Sequence, residues 1–398
     1  MSRRRGRSGV GAGRGSNKRD ARAALKRPAR SAYVAVFLVA FAVRLAIAWW
    51  SAGLPLVRTP QLDSGQYLAW AGWIAGGNHA WPQPIIQGPG YPYFLAGLLG
   101  IAGGSLAIVA VFQAVLGAIS CVITAALGSR WFGVTAGIAA GLLQAVHGPL
   151  AFVETSLYCE GLLVFLMLLS TYVFATRGAS TRGVVMSGIL IGAAAIVRAT
   201  ALAQLAVYLP VLLLESSGWR VRLRRAAVMA MAVAAVTIPV AAKNASEPAG
   251  SFQLQGFAGL NFYIGNSPAG TGTATVRLGA GWENLWGEAW RAGVIDSAAQ
   301  DRYYFRKTLA EIAERPAAWL RVLLDKAIWS TQADEIRDSL SFAFFADAIP
   351  ILRWLPGFGL LLSLAAAGAV VSIQRRQFPR ELWLWLLATW SVVVLLVV

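Results

Sequence analysis

Carboxylates, histidines and cysteines are all scarce in this chain: of its 398 residues 18 are Asp or Glu, two are His and two are Cys. Cys121 and Cys159 both sit inside apolar runs, which gives no basis for a disulfide framework and reads as two buried thiols. His79 and His147 lie far from any metal-ligand spacing, so a histidine-based metal site is not expected. Charged residues make up only 13% of the chain, whereas 57% is hydrophobic and 16 residues are tryptophan. A water-soluble fold of that composition would expose too much apolar surface. The sequence therefore reads as an all-α polytopic membrane protein.

The net charge of +17 is unevenly placed. The first 30 residues hold 11 Lys or Arg against the single acid Asp20 and are rich in Gly and Ser. With so few apolar residues this tail, residues 1–31, reads as a disordered cytoplasmic segment lying near anionic lipid. Partner or nucleic-acid binding is the sharper alternative; the whole chain is read as having no nucleic-acid partner. A cleavable signal peptide is not expected, because the apolar run that follows is too long and lacks a small-residue cleavage site.

A spanning helix needs about 20 mostly apolar residues. Runs of this kind fall at 32–52, 105–128, 132–150, 157–176, 183–197, 200–216, 226–242, 351–373 and 382–398. Shorter apolar stretches at 66–75 and 90–102, bearing Trp70, Trp73, Tyr91 and Tyr93, read as helices lying in the membrane interface. With nine spans and a cytoplasmic N-terminus, Arg130, Arg177, Arg182, the cluster "WRVRLRR" and "RRQFPR" all face the cytoplasm. Asp63, Glu154 and the loop 243–350 then lie outside. That loop carries 12 of the 18 acids against 10 Lys or Arg, a balance typical of a translocated segment. The expected organisation is a transmembrane module at 32–242 with a first outer loop at 53–104, the outer loop 243–350 between spans seven and eight, and C-terminal spans at 351–398. The final run reaches Val398 without a polar flank: either a span that closes at the outer face or a chain that continues.

Three outer segments carry candidate chemistry. In "LDSGQYLAWAGWIAGG", Asp63 stands where a helix N-cap is expected, and Tyr67, four residues on, shares its face. In "HGPLAFVETSLYCEGLLVFL", Glu154 is expected in the turn before a span and Glu160 inside that span, two carboxylates that suggest a polar cavity or a buried structural group. In "GFAGLNFYIGNSPAGTGTATV", Gly, Asn and Ser favour turns with exposed backbone N–H groups suited to an anionic or hydroxylated ligand. Arg198 is expected at an outer turn between two helices, and Arg44, halfway along the first span, is expected to snorkel or to pair within the bundle. The tripeptide at 244–246, "NAS", fits a glycosylation acceptor and is assigned no role.

Taken in order, "RLAIAWW", "LDSGQYLAWAGWIAGG", "GPGYPYFLAGLLG", "ETSLYCEGLLVFL", "GAAAIVRATAL" and "GLNFYIGNSPAGTG" resemble the GT-C membrane glycosyltransferases over residues 32–275. The resemblance is to the branch of protein O-mannosyltransferases and lipid A aminoarabinose transferases, which is glycosyltransferase family 39-like. It implies a GT-C-like bundle in a bacterial-type plasma membrane, with the active site on the extracytoplasmic face. It further implies transfer of a hexosyl or pentosyl group from a polyprenyl-phosphate sugar donor to an acceptor on a protein, lipid or glycan, usually with inversion. On it, Asp63 maps to the acidic general base of the first loop and Arg198 to the cation that receives the donor phosphate. Tyr67, Glu154, Asn261, Tyr263 and Asn266 are the expected substrate contacts, and no cofactor or metal is expected. The chain departs from the family in having Ser64 after Asp63, where relatives often have a second acid, and "VRAT" where Arg-Pro is frequent. A transporter or flippase for a lipid-linked substrate is the alternative from another class. It would predict inverted internal repeats, and no such repeat is visible.

Overall fold

In a computed structural model the described residues are 29–82, 85–178, 180–248, 250–270, 280–333, 335 and 341–374. The span expected at 382–398, and all but the last three residues of the basic tail, lie outside them. Among the described residues there is no β-strand, and helix follows helix. The membrane-embedded half comprises α1 (Arg30–Ser51), α2 (Pro55–Arg58), α3 (Leu62–Ala75), α4 (Gly90–Ile101), α5 (Leu106–Phe132), α6 (Val134–Ala145), α7 (Gly148–Thr155), α8 (Glu160–Arg177), α9 (Thr181–Val197), α10 (Leu205–Leu213) and α11 (Trp219–Ser246). Then come α12 (Ala258–Asn266), α13 (Ala280–Arg291), α14 (Ser297–Glu314), α15 (Pro316–Trp329), α16 (Phe342–Ala348) and α17 (Phe358–Gln374).

Among the described residues five helical stretches are long and apolar enough to cross a bilayer: α1, α5, α8, α11, and Pro350–Gln374, which includes α17. The run at 132–150 is not one straight span but the pair α6 and α7, bent by 59° at its break, and counting it gives six. The break has a simple cause. Pro149, at the start of α7, has no N–H to give the Ala145 carbonyl one turn back, so the helical ladder stops there. The runs at 183–197 and 200–216 form shorter apolar helices; the second begins as a 3₁₀ segment, Ala199–Gln204, before α10.

The core of the bundle is α5, packed against α1, α6 and α8, while α9 packs against α8 and α11. Small residues let α5 and α6 approach closely: a Cβ on Gly141 would stand 2.7 Å from Ala125 Cβ. The segment 243–350 is largely helical. Its α12, α13 and α14 enclose Phe257, Leu260, Ala289 and Tyr304 in a small apolar cluster. The chain then returns to the bundle through α16, whose Phe345 packs with Ile47 and Phe152.

Candidate active site

Two arginine–glutamate pairs organise the interior, and they differ in kind. Arg44 and Glu154 are both fully buried. Arg44 Nε donates to Glu154 Oε2 at 2.7 Å and Nη2 donates to the same oxygen. Arg44 Nη1 donates to the carbonyls of Ala40 and, at 3.2 Å, Ala145, the latter being the one that Pro149 leaves without a helical partner. Gly117 makes room for the pair: a Cβ there would lie 2.6 Å from Glu154 Oε2 and would also strike Arg44 Nε. The second pair, Arg198 Nη1 to Glu160 Oε1, is half exposed, at 46% and 33%. The two glutamates thus stand differently from the sequence expectation. Glu154 lies inside α7, enclosed, whereas Glu160 is the first residue of α8 and reaches the surface.

The first loop is built onto the second pair. Helix α3 starts at Leu62, whose φ of 52° is rare for a residue with a side chain. Asp63 falls in its first turn rather than at the N-cap, which is Gln61 and makes no side-chain capping bond. An acid in the first turn is favoured by the helix dipole. Asp63 is half-buried and Tyr67, one turn along, is buried. Tyr67 packs with Cys159 and Val197 in one apolar cluster, and its hydroxyl lies in the field of Glu160 and Arg198. Burial is the main cause that pushes the Tyr67 hydroxyl far up, so it remains a protonated donor at neutral pH.

Tyr67 meets Tyr91 of α4 edge to face, with ring centroids 4.8 Å apart. Tyr91 in turn donates to Gln113 Oε1 at 3.3 Å, and Gln113 Nε2 donates to the carbonyls of Glu154 (3.2 Å) and Ser156 (2.7 Å), which lie just before α8. The "GPG" turn seats directly on the end of α9: a Cβ on Gly88 would lie 2.5 Å from the Ile196 carbonyl oxygen and 2.6 Å from that of Val197. Only glycine allows this approach, and it places the first loop beside the residue that follows, Arg198. Arg198 caps α9 in an extended conformation (φ −151°, ψ 121°), at the turn where the sequence placed it. The next N–H, that of Ala199, is accepted by Gln255 Oε1 at 3.2 Å. Gly256 N–H bonds the Ile85 carbonyl at 2.5 Å, so the segment before α12 also lies across the first loop.

Of the three residues expected from "GLNFYIGN", Asn261 is exposed on α12. Tyr263 packs against Tyr304 and beneath the Lys307 ammonium, 4.6 Å from its ring centre. Asn266 is buried, donating to the Phe262 carbonyl and accepting from Trp319 Nε1 at 3.4 Å. Asn244 of the "NAS" tripeptide is likewise buried, its amide donating to the Gln253 carbonyl at 3.0 Å. Among the described residues no group of three or more His, Cys, Asp or Glu side chains gathers in a metal-binding arrangement. The structure thus brings Asp63, Tyr67 and Arg198 to one region and adds Cys159, Glu160, Gln113 and Gln255. An acid opening an apolar run, as in "CEGLLVFL", was the available signal for Glu160, since it marks a helix start rather than a span interior.

Residues 83–242 match the family model of dolichyl-phosphate-mannose-protein mannosyltransferase. The match supports a membrane glycosyltransferase of the GT-C superfamily. It spans the "GPG" turn, Gln113, Glu154, Glu160 and Arg198, and begins after Asp63 and Tyr67. No curated protein and no solved structure matches the chain.

Proposed function

We propose that this glycosyltransferase moves a sugar from a polyprenyl-phosphate donor to an acceptor on the extracytoplasmic face of a bacterial-type plasma membrane, with inversion. Asp63 takes the proton of the acceptor hydroxyl as that oxygen attacks the anomeric carbon from the face opposite the phosphate. The carbon–oxygen bond to phosphate breaks, and the polyprenyl phosphate leaves with its added charge against Arg198. A hydroxyl is a poor nucleophile, and a positioned base supplies about 10²–10⁴ in rate. Phosphate is a competent leaving anion, so a cation at the developing charge is the other requirement. A guanidinium suits this role through its paired N–H donors.

The observation that carries this reading is the meeting of Asp63's helix with Arg198. Asp63 and Tyr67 share one face of α3, and Tyr67 packs with Cys159 and Val197, the residues just before Glu160 and Arg198. Tyr67 serves as a substrate contact at this junction and Asn261, exposed on α12, as the contact from the outer segment. Tyr263 and Asn266 act by holding α12 in place, and Glu154 by holding Arg44. In this reading the shorter helices α9 and α10 also cross the membrane, and with the segment 382–398 they complete about nine spans. The test is to incubate the purified protein in proteoliposomes with a panel of radiolabelled polyprenyl-phosphate sugars and membrane acceptors. Consumption of one donor with release of polyprenyl phosphate supports the proposal, and a panel in which every donor survives counts against it.

A further inference from the structure

The two arginine–glutamate pairs invite a comparison. Arg44 is a permanent fixture: two of its nitrogens bond one carboxylate oxygen, its third bonds two carbonyls, and no solvent reaches it. The contact between Glu160 and Arg198 runs from one carboxylate oxygen to one guanidinium nitrogen, at the surface. Glu160 Oε2, like Glu154 Oε1, is buried without a hydrogen-bond partner, so the two pairs differ in exposure and in the number of bonds that hold them. A carboxylate that meets its guanidinium through a single contact at a half-exposed position is a replaceable occupant of a cation's anion position.

We propose that Glu160 is a stand-in for the substrate's phosphate: it neutralises Arg198 in the empty enzyme, gives way when a lipid monophosphate arrives, and recaptures the guanidinium when that phosphate leaves. This rests on the reading of Arg198 as the phosphate-binding cation and adds a competing anion built into the chain. A phosphate offers several equivalent oxygens to the guanidinium where Glu160 offers one, so substrate displaces it, while its return favours departure of the product phosphate. Tyr67, a protonated donor, and Cys159, which precedes Glu160, pack together beside this position. Arg198 thus exchanges the Glu160 carboxylate for the substrate's phosphate within one site.

The experiment measures binding of a radiolabelled polyprenyl monophosphate to the full-length protein in detergent, with inorganic phosphate as a second probe and uncharged polyprenol as a control. The variants are Glu160→Gln, Arg198→Gln and the double variant, each first shown to melt as the wild type does. Glu160→Gln is expected to bind the lipid phosphate tighter by about 2- to 5-fold, the scale of a half-exposed ion pair. Arg198→Gln should bind it more weakly, and the double variant should behave as Arg198→Gln does. A gain that appears with the lipid phosphate but not with inorganic phosphate assigns the position to the donor lipid; a gain with both assigns it to phosphate generally, and either result supports the exchange. If Glu160→Gln binds equally or more weakly while Arg198→Gln loses affinity, the exchange is overturned and the phosphate-binding role of Arg198 stands. If Arg198→Gln binds as the wild type does, that role fails and the exchange falls with it.

Discussion

Arg44 donates to the carbonyl of Ala145, 3.2 Å away, and so supplies the hydrogen bond that Pro149 cannot make. The bend between α6 and α7 is thus secured by an arginine 101 residues earlier in the chain, whose charge is balanced by Glu154 from the far side of the same bend. Removing one member of a buried pair leaves an uncompensated charge and costs about 3–5 kcal/mol. Arg44→Met should therefore lower the thermal midpoint in detergent sharply, and Arg44→Met combined with Glu154→Leu should recover much of the loss. An Arg44→Met protein that melts with the wild type would show that the pair does not hold the bend.

Gln255 plays a similar part at the site. It accepts the N–H of Ala199, and Arg198 before it already has the extended backbone that a residue preceding proline adopts. Gln255→Ala leaves that N–H unpaired, at a cost of roughly 1 kcal/mol in a part-buried position. Ala199→Pro removes the donor, so in the Gln255→Ala background it should restore stability and sugar transfer toward the wild type. The check is thermal melting and transfer rate for the two single variants and the double. A double variant worse than Gln255→Ala alone would contradict this account of the turn.

How far the sequence carried the fold follows from which forces decide each element. The spans α1, α5, α8 and α11 were legible because uninterrupted apolar length alone requires them. The break in 132–150 was written at Gly148-Pro149 but masked by continuous hydropathy. The 3₁₀ start at Ala199 depends on Gln255, 56 residues away, and no local pattern announces it. The charge balance of 243–350 speaks to its side of the membrane and not to its secondary structure, so the helices α13–α15, with Tyr304 and Thr308 on a buried face of α14, come from the structure alone. Near the candidate site, the helix that carries Asp63 and Tyr67 on one face and the turn at Arg198 were legible from spacing and run boundaries. The partnership of Arg198 with Glu160 was not, because it joins the ends of two helices 38 residues apart.

Lys326 gives a pH-dependent handle on the outer helices. It is 4% exposed and its ammonium donates to the Gly265 carbonyl at 3.0 Å. Burial lowers its pKa from 10.5 to about 8. Between about pH 8 and pH 10.5 the unfolded chain binds the proton that the folded chain has released, so stability rises with pH across that window. Below pH 8 both states are charged and the contribution is constant. Thermal midpoints at pH 7.5 and pH 9.5 should show this rise for the wild type and a flatter response for Lys326→Met. Equal responses would remove Lys326 as the cause.

The proposal that Asp63 acts as the base is tested most directly by one substitution. Asp63→Asn keeps the shape of the side chain and removes its ability to take a proton. In proteoliposomes supplied with the donor and acceptor identified from the panel, its transfer rate should fall by about 10²–10⁴, the contribution of a positioned base, while binding of the polyprenyl-phosphate sugar stays within a few-fold of wild type. Transfer at near wild-type rate by a normally folded Asp63→Asn protein would contradict the account.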